Sequence, residues 1–314
     1  MMKRTLALLT ALLQASFNVI NAAEPARMAD LTLQDDKRGK EIECRVHFPT
    51  AGDKLPLIIF SHGFGADRTA FTPIAGHWAS HGYVVVHPSH LDGFGKSKGK
   101  GAALPAGGLP ALMKNAALKI EDRVGDVAFL FGSLEQLTAK LPALRGRVDL
   151  TRIGVGGHSL GAYTTMLMGG VTADIGDQKA RSAKDDRVRC ILPISAQGTG
   201  QQGLTEASWV NLKLPMMTIT GSLDKGAGGQ GPDWKKEPFK FSPAGGKYLV
   251  FIEGANHVSF GGTGSRDPGI ADAVRTSTLT FWNAYLKDDA AAEASLKSGA
   301  VFDALSGKAT IQSK

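Results

Sequence analysis

The sequence predicts an α/β fold, a mostly parallel central sheet with helices on both faces. Three observations carry this. Short apolar runs alternate with helix-like segments through most of the chain. Several of these runs are continuous rather than alternating, as strands buried on both faces require. Most of the irregular segments rich in Gly, Pro and charge follow such runs, where open α/β sheets place their ligand sites. The 314 residues include 39 glycines, which suits many tight strand-to-helix turns. Residues 24–314 are long enough for one large α/β domain.

The first segment reads as an address. Lys3 and Arg4 precede an apolar stretch over residues 5–13, and Ala22 and Ala23 offer small residues for cleavage. This is the form of a signal peptide over residues 1–23, and the run is too short for a stable membrane span. A secreted or periplasmic protein is therefore expected. Residues 42–48 alternate like an antiparallel edge strand, and residues 57–60 form a continuous apolar strand. A helix is expected over 69–80, a strand over 83–86 and one long amphipathic helix over 120–141. A strand at 152–156 leads into a helix at 159–168. Three more strands follow at 188–194, 216–220 and 248–252, then a closing helix over 270–286, with Pro268 before its start. Residues 287–314 read as a helical or loose tail.

The formal charge of +7 is mild and scattered. Lys96, Lys98 and Lys100 cluster in the glycine-rich segment 93–108, but no aromatic residues interleave with them to stack on bases. No nucleic-acid partner is expected. Cys44 and Cys190 fall in predicted strands, where a thiol behaves as a small buried hydrophobe, and free thiols are expected. His77 and His81 have a helical i, i+4 spacing, but matching third and fourth ligands do not follow, so neither a metal nor another cofactor is expected.

The sharpest motif is Gly157-His158-Ser159-Leu160-Gly161, a G-x-S-x-G pattern between a predicted strand and a predicted helix. A serine on so tight a turn needs neighbours without bulky side chains, and the turn lifts its Oγ to the end of the sheet. A neutral hydroxyl is a poor nucleophile and needs a base. His257, in Gly254-Ala255-Asn256-His257 after the last apolar strand and before the final helix, is the candidate. Asp224, directly after the strand at 216–220, is the candidate to orient that imidazole, ahead of Asp233 and Glu253. An oxyanion needs backbone donors. The N–H of Leu160 and that of Phe64, in the loop Ser61-His62-Gly63-Phe64-Gly65, are the candidates. Phe64, His158 and His90 are candidate substrate contacts, His87 is a possible neighbour of the pocket, and Trp209 and Trp234 are possible apolar walls.

Together these stretches resemble the α/β-hydrolase superfamily over nearly all of residues 24–314. More narrowly, the loop at 60–65, the elbow at 157–164, and the runs at 193–198, 218–224 and 253–257 resemble a bacterial branch related to platelet-activating-factor acetylhydrolases and predicted dienelactone hydrolases. The resemblance implies hydrolysis of carboxylic esters without a metal. The expected function is a secreted serine esterase acting on small to medium esters through an acyl-enzyme. A serine peptidase or amidase, a polyester hydrolase, and a binding protein that retains the fold are the alternatives.

Overall fold

The computed structural model describes residues 25–92, 120–262, 267–305 and 307–314. The expected signal segment and the lysine cluster at 96–100 lie outside the described residues.

Among the described residues the main sheet has nine strands, in the order β1-β2-β4-β3-β5-β8-β9-β10-β11. Its parallel centre is β4 (Val84–Pro88), β3 (Leu55–Ser61), β5 (Val148–His158), β8 (Val188–Ile194), β9 (Met216–Leu223) and β10 (Lys247–Asn256). Antiparallel strands flank it. On one side stand β2 (Lys40–Pro49) and β1 (Ala26–Asp35), and on the other β11 (Ala309–Ser313). A short hairpin of β6 (Ala173–Ile175) and β7 (Gln178–Arg181) stands apart from the sheet.

Alternation along the strands divides the core. Leu57, Ile59, Val84, Val86 and Ile191 pack on one face with α2 (Ile120–Gly132), α3 (Leu134–Lys140) and α4 (Leu160–Gly169). Ile58, Phe60, Val85, Leu192 and Ile219 pack on the other with α1 (Thr72–Ser80), α7 (Pro268–Leu286) and α8 (Ala290–Ser298). Successive side chains of a strand point to opposite faces, so continuous apolar runs are what a sheet covered on both sides demands. Two short helices, α5 (Pro232–Lys235) and α6 (Glu237–Phe241), sit in the connection between β9 and β10.

Three expectations need correction. The strand at 42–48 is antiparallel but not an edge, because β1 pairs along its length, with Leu33 opposite Ile42 and Leu31 opposite Cys44. The single helix expected at 120–141 is two helices. The Ser133 hydroxyl turns back onto the Leu130 carbonyl at 3.0 Å, in competition with the helical ladder, and the chain bends there. The tail is helical where α8 forms, with Asp289 capping it by accepting from the Ala292 N–H at 3.0 Å, but it ends in an unforeseen strand, β11, that covers the edge of β10.

Cys44 and Cys190 are free, fully buried and on opposite faces of the sheet. Burial pushes both thiols well above the ordinary cysteine range, so neither forms a reactive thiolate near neutral pH. Native protein should therefore leave an aromatic disulfide reagent unreacted at pH 8, and both thiols should titrate once guanidinium unfolds the chain. Prompt reaction of the native protein would contradict this burial.

Candidate active site

The elbow at the end of β5 is dictated by sterics. Ser159 has φ 54° and ψ −118°, a region a side chain enters only under constraint. A Cβ on Gly157 would lie 2.2 Å from the Gly161 carbonyl oxygen, and one on Gly161 would lie 2.0 Å from that of Ser61. Both glycines are thus required by close backbone approach. The turn leaves Ser159 at the amino end of α4, where the dipole and unpaired N–H groups favour developing negative charge.

The structure brings Ser159, His257 and Asp224 into one line. His257 Nε2 lies 3.1 Å from Ser159 Oγ, and His257 Nδ1 lies 3.1 Å from Asp224 Oδ1. The Asp224 side chain is fully buried, whereas that of His257 is 37% exposed, so the imidazole can meet a ligand while its partner cannot. Burial opposes the Asp224 carboxylate. The His257 hydrogen bond, the Lys235 ammonium and the Ser195 hydroxyl outweigh it, and the pKa falls below the ordinary aspartate value.

Other residues support this line, and sequence reasoning had not singled them out. Ser195, at the end of β8 with φ 51°, donates from Oγ to Asp224 Oδ1 at 2.9 Å and lies 2.9 Å from His257 Nδ1. Thr220 donates to Asp224 Oδ2 at 2.9 Å, so both carboxylate oxygens are held. Lys235, buried on α5, donates to the Ser195 carbonyl at 3.0 Å. Burial pulls its ammonium down to about 8, against the pull of Asp224. A serine at a strand end and a lysine in a charged loop carry no pattern that separates them from solvated neighbours.

Ser159 and His257 open onto a cavity of about 330 Å³, lined also by Phe64, Trp234, Gln197 and Gln202. Of the candidate wall residues, Phe64 and Trp234 both line this cavity. Trp209 does not. It is fully buried, stacked on Phe241, with its indole N–H directed at the Met166 sulfur at 3.4 Å. His90 does not line the cavity either. It is buried between Asp126, at 2.8 Å from its Nδ1, and Ser61, at 3.2 Å from its Nε2. His87 packs against Phe60 in the core. His158 is half-buried beside Phe71 and His257, and burial pulls its imidazolium down to about 3. Its neutral Nε2–H donates to the His257 carbonyl at 2.7 Å, so it braces the histidine loop and does not face the cavity.

The loop after β3 runs against the elbow. A Cβ on Gly63 would lie 3.4 Å from the Ser159 Cβ, and Phe64, the next residue of the loop, lines the same cavity as Ser159. Beneath this loop lies a buried polar cluster. Arg123 of α2 is 2% exposed, donates to the His62 carbonyl at 2.8 Å and pairs with Asp92 at 2.9 Å. Lys40 and Arg38 reach Asp126 at 2.7 and 2.9 Å. Among the described residues, no group of three His, Cys, Asp or Glu side chains is placed to hold a metal.

A nine-stranded, mostly parallel sheet, helices on both faces and a strand-to-helix serine elbow define an α/β hydrolase fold. Within that class the chain resembles the platelet-activating-factor acetylhydrolases. Residues 33–96 match the family model described as platelet-activating factor acetylhydrolase, isoform II, a stretch that holds the Ser61–Gly65 loop but none of Ser159, Asp224 and His257. The chain is 24% identical over 238 residues, 67% of its length, to platelet-activating factor acetylhydrolase of Canis lupus familiaris. Shorter matches reach 52% over 46 residues in the Bos taurus protein and 51% over 41 residues in that of Cavia porcellus, or 15% and 13% of this chain. These alignments span 48%, 10% and 9% of the three relatives, so the chain covers under half of their length.

Proposed function

We propose that this protein is a secreted or periplasmic serine hydrolase that cleaves carboxylic esters of small to medium size. The observation that carries the reading is the Ser159–His257–Asp224 hydrogen-bonded line opening on a cavity. The names of its relatives, acetylhydrolases, add a preference for short acyl groups.

In this reading Ser159 Oγ attacks the ester carbonyl while His257 Nε2 takes its proton. The oxyanion forms at the amino end of α4, held by the N–H groups of Leu160 and Phe64. His257 then returns the proton to the departing alkoxide, leaving an acyl-enzyme on Ser159. Water, deprotonated by His257, attacks that acyl group and releases the acid. Asp224 holds the imidazole in the Nδ1–H tautomer and balances its charge when protonated. A cavity of about 330 Å³ suits a short acyl chain, and the buried Gln197 amide at its wall suits a substrate with polar atoms beyond the ester.

The test is labelling with a fluorophosphonate, which reacts only with an activated serine, followed by mass spectrometry and turnover of p-nitrophenyl esters of increasing acyl length. An adduct on Ser159, with turnover falling as the acyl chain lengthens, is expected. Folded protein with no adduct and no turnover would sink the proposal. Matched ester and amide substrates separate this reading from a peptidase or amidase.

A further inference from the structure

We propose that His62 and Arg123 are positioning residues that lock the Gly63–Phe64 peptide so that the Phe64 N–H faces the carbonyl attacked by Ser159. This rests on the reading of Ser159 as the nucleophile.

A peptide unit is planar and trans, so its C=O and N–H point in opposite directions. Fixing the Gly63 carbonyl therefore fixes the Phe64 N–H. Three donors converge on that carbonyl: His62 Nδ1 at 2.6 Å, the Ala66 N–H at 3.3 Å and Arg123 Nη2 at 3.4 Å. The proton on His62 is assigned by its other nitrogen. Nε2 accepts from the His90 N–H at 3.0 Å, so the hydrogen must sit on Nδ1, where it meets the Gly63 oxygen. Burial and the neighbouring guanidinium keep His62 far below its ordinary pKa, which preserves this neutral tautomer.

Arg123 holds two successive carbonyls at once. Nη1 reaches that of His62 at 2.8 Å while Nη2 extends to that of Gly63. Its other face is fixed by Asp92, with Nε at 3.0 Å from Oδ2. A planar fork of donors suits this task and a single ammonium does not. Burying a guanidinium is costly, and Arg123 stands on the apolar side of α2 with Ile120, Val127 and Leu130. Its partners there are the loop carbonyls and Asp92. Donors converging on one amide also polarise it, which makes the opposite N–H a stronger donor.

The experiment compares kcat, KM and the inhibition constant of n-butylboronic acid, which mimics the tetrahedral adduct, using p-nitrophenyl butyrate as substrate. Losing a whole oxyanion donor costs about 10²–10³ in kcat, so a donor that loses only its aim should cost about 10–100-fold. His62→Leu, which keeps bulk but no donor, should show that loss with KM little changed and the boronate constant rising in parallel. His62→Asn, which returns an amide N–H near the Nδ1 position, should recover most of it. A residue that merely fills space would favour leucine over asparagine. If folded His62→Leu matches wild type in kcat and boronate affinity, or if the loss falls in KM alone, the inference is overturned. Should that variant not fold, Arg123→Lys carries the same comparison, with about a tenfold parallel shift expected and an unchanged boronate constant overturning the idea. Failure of wild-type protein to label at Ser159 would instead refute the underlying esterase reading.

Discussion

Ser159→Ala is expected to lower kcat on p-nitrophenyl butyrate by about 10⁴–10⁶-fold, and His257→Ala by nearly as much. The two losses should not add. In the proposed mechanism Ser159 Oγ is activated only through the imidazole 3.1 Å away, so once either group is gone the other has no partner. The double variant should therefore equal the worse single one, and the residual rate should reflect binding and the oxyanion amides alone. Asp224→Asn should fall less far than either. Its carboxylate is fully buried and, in the proposed mechanism, would hold the Nδ1–H tautomer, but Ser195 Oγ also lies within 2.9 Å of Nδ1 and would keep part of that restraint. Steady-state kinetics on folded variants decides the matter. If Ser159→Ala retains wild-type turnover, the nucleophile lies elsewhere. If the two single losses multiply in the double variant, Ser159 and His257 do not act as a unit.

The parts of this protein that were legible in the sequence are those where one physical constraint dominates. The continuous apolar runs at 57–60 and 190–194 call for burial on both faces, and both lie in strands of the sheet centre. The elbow was legible because backbone approach at Gly157 and Gly161 excludes any side chain. Chain order and places just after β9 and β10 singled out Asp224 and His257 as candidates, and the fold brings both within hydrogen-bond distance of one line with Ser159. Position after a strand was a weaker guide for His90. It follows β4 as expected, but the strand end there points into the buried cluster with Asp126, not the cavity. Trp209 shows that an aromatic residue in a loop is as readily core as wall.

What stayed hidden was mostly support. Ser195 and Lys235 act through atoms that become neighbours only when β8, β9 and α5 are assembled. β1 was hidden because half of its side chains are exposed and only two are buried, which leaves little apolar periodicity to read. Arg123 did carry a signal: at three residues past Ile120 and four before Val127 it interrupts the buried stripe of its helix. A charged residue at such a position is either paired or costly, and here it is paired with Asp92 and with the loop that borders the serine.

The same close packing that made the elbow legible should make it intolerant. Gly161→Ala is expected to destabilise the protein by about 3 kcal/mol or more, beyond the usual 1–3 kcal/mol of an overpacked core. The added methyl would sit 2.0 Å from the Ser61 carbonyl oxygen and 2.7 Å from that of His62, and both are backbone atoms. β3 cannot retreat, since Ser61 pairs with Gly157 and Phe60 with Gly156 across the sheet. The strain must therefore enter the loop that carries Phe64, so activity should fall together with stability. For a chain of this size a loss of that magnitude corresponds to a Tm lower by about 5 °C or more. Gly76→Ala provides the contrast. Gly76 is inside α1, with nothing within 4 Å of an added Cβ, so alanine there removes only the entropic cost of glycine in a helix. It should raise stability by about 0.5–1 kcal/mol and leave kcat unchanged. Thermal unfolding of the two variants, followed by ester turnover below their transitions, tests the pair. Equal tolerance of alanine at both positions would mean that the elbow and the loop against it are free to move apart, and that the serine is not held in its left-handed conformation by backbone contact.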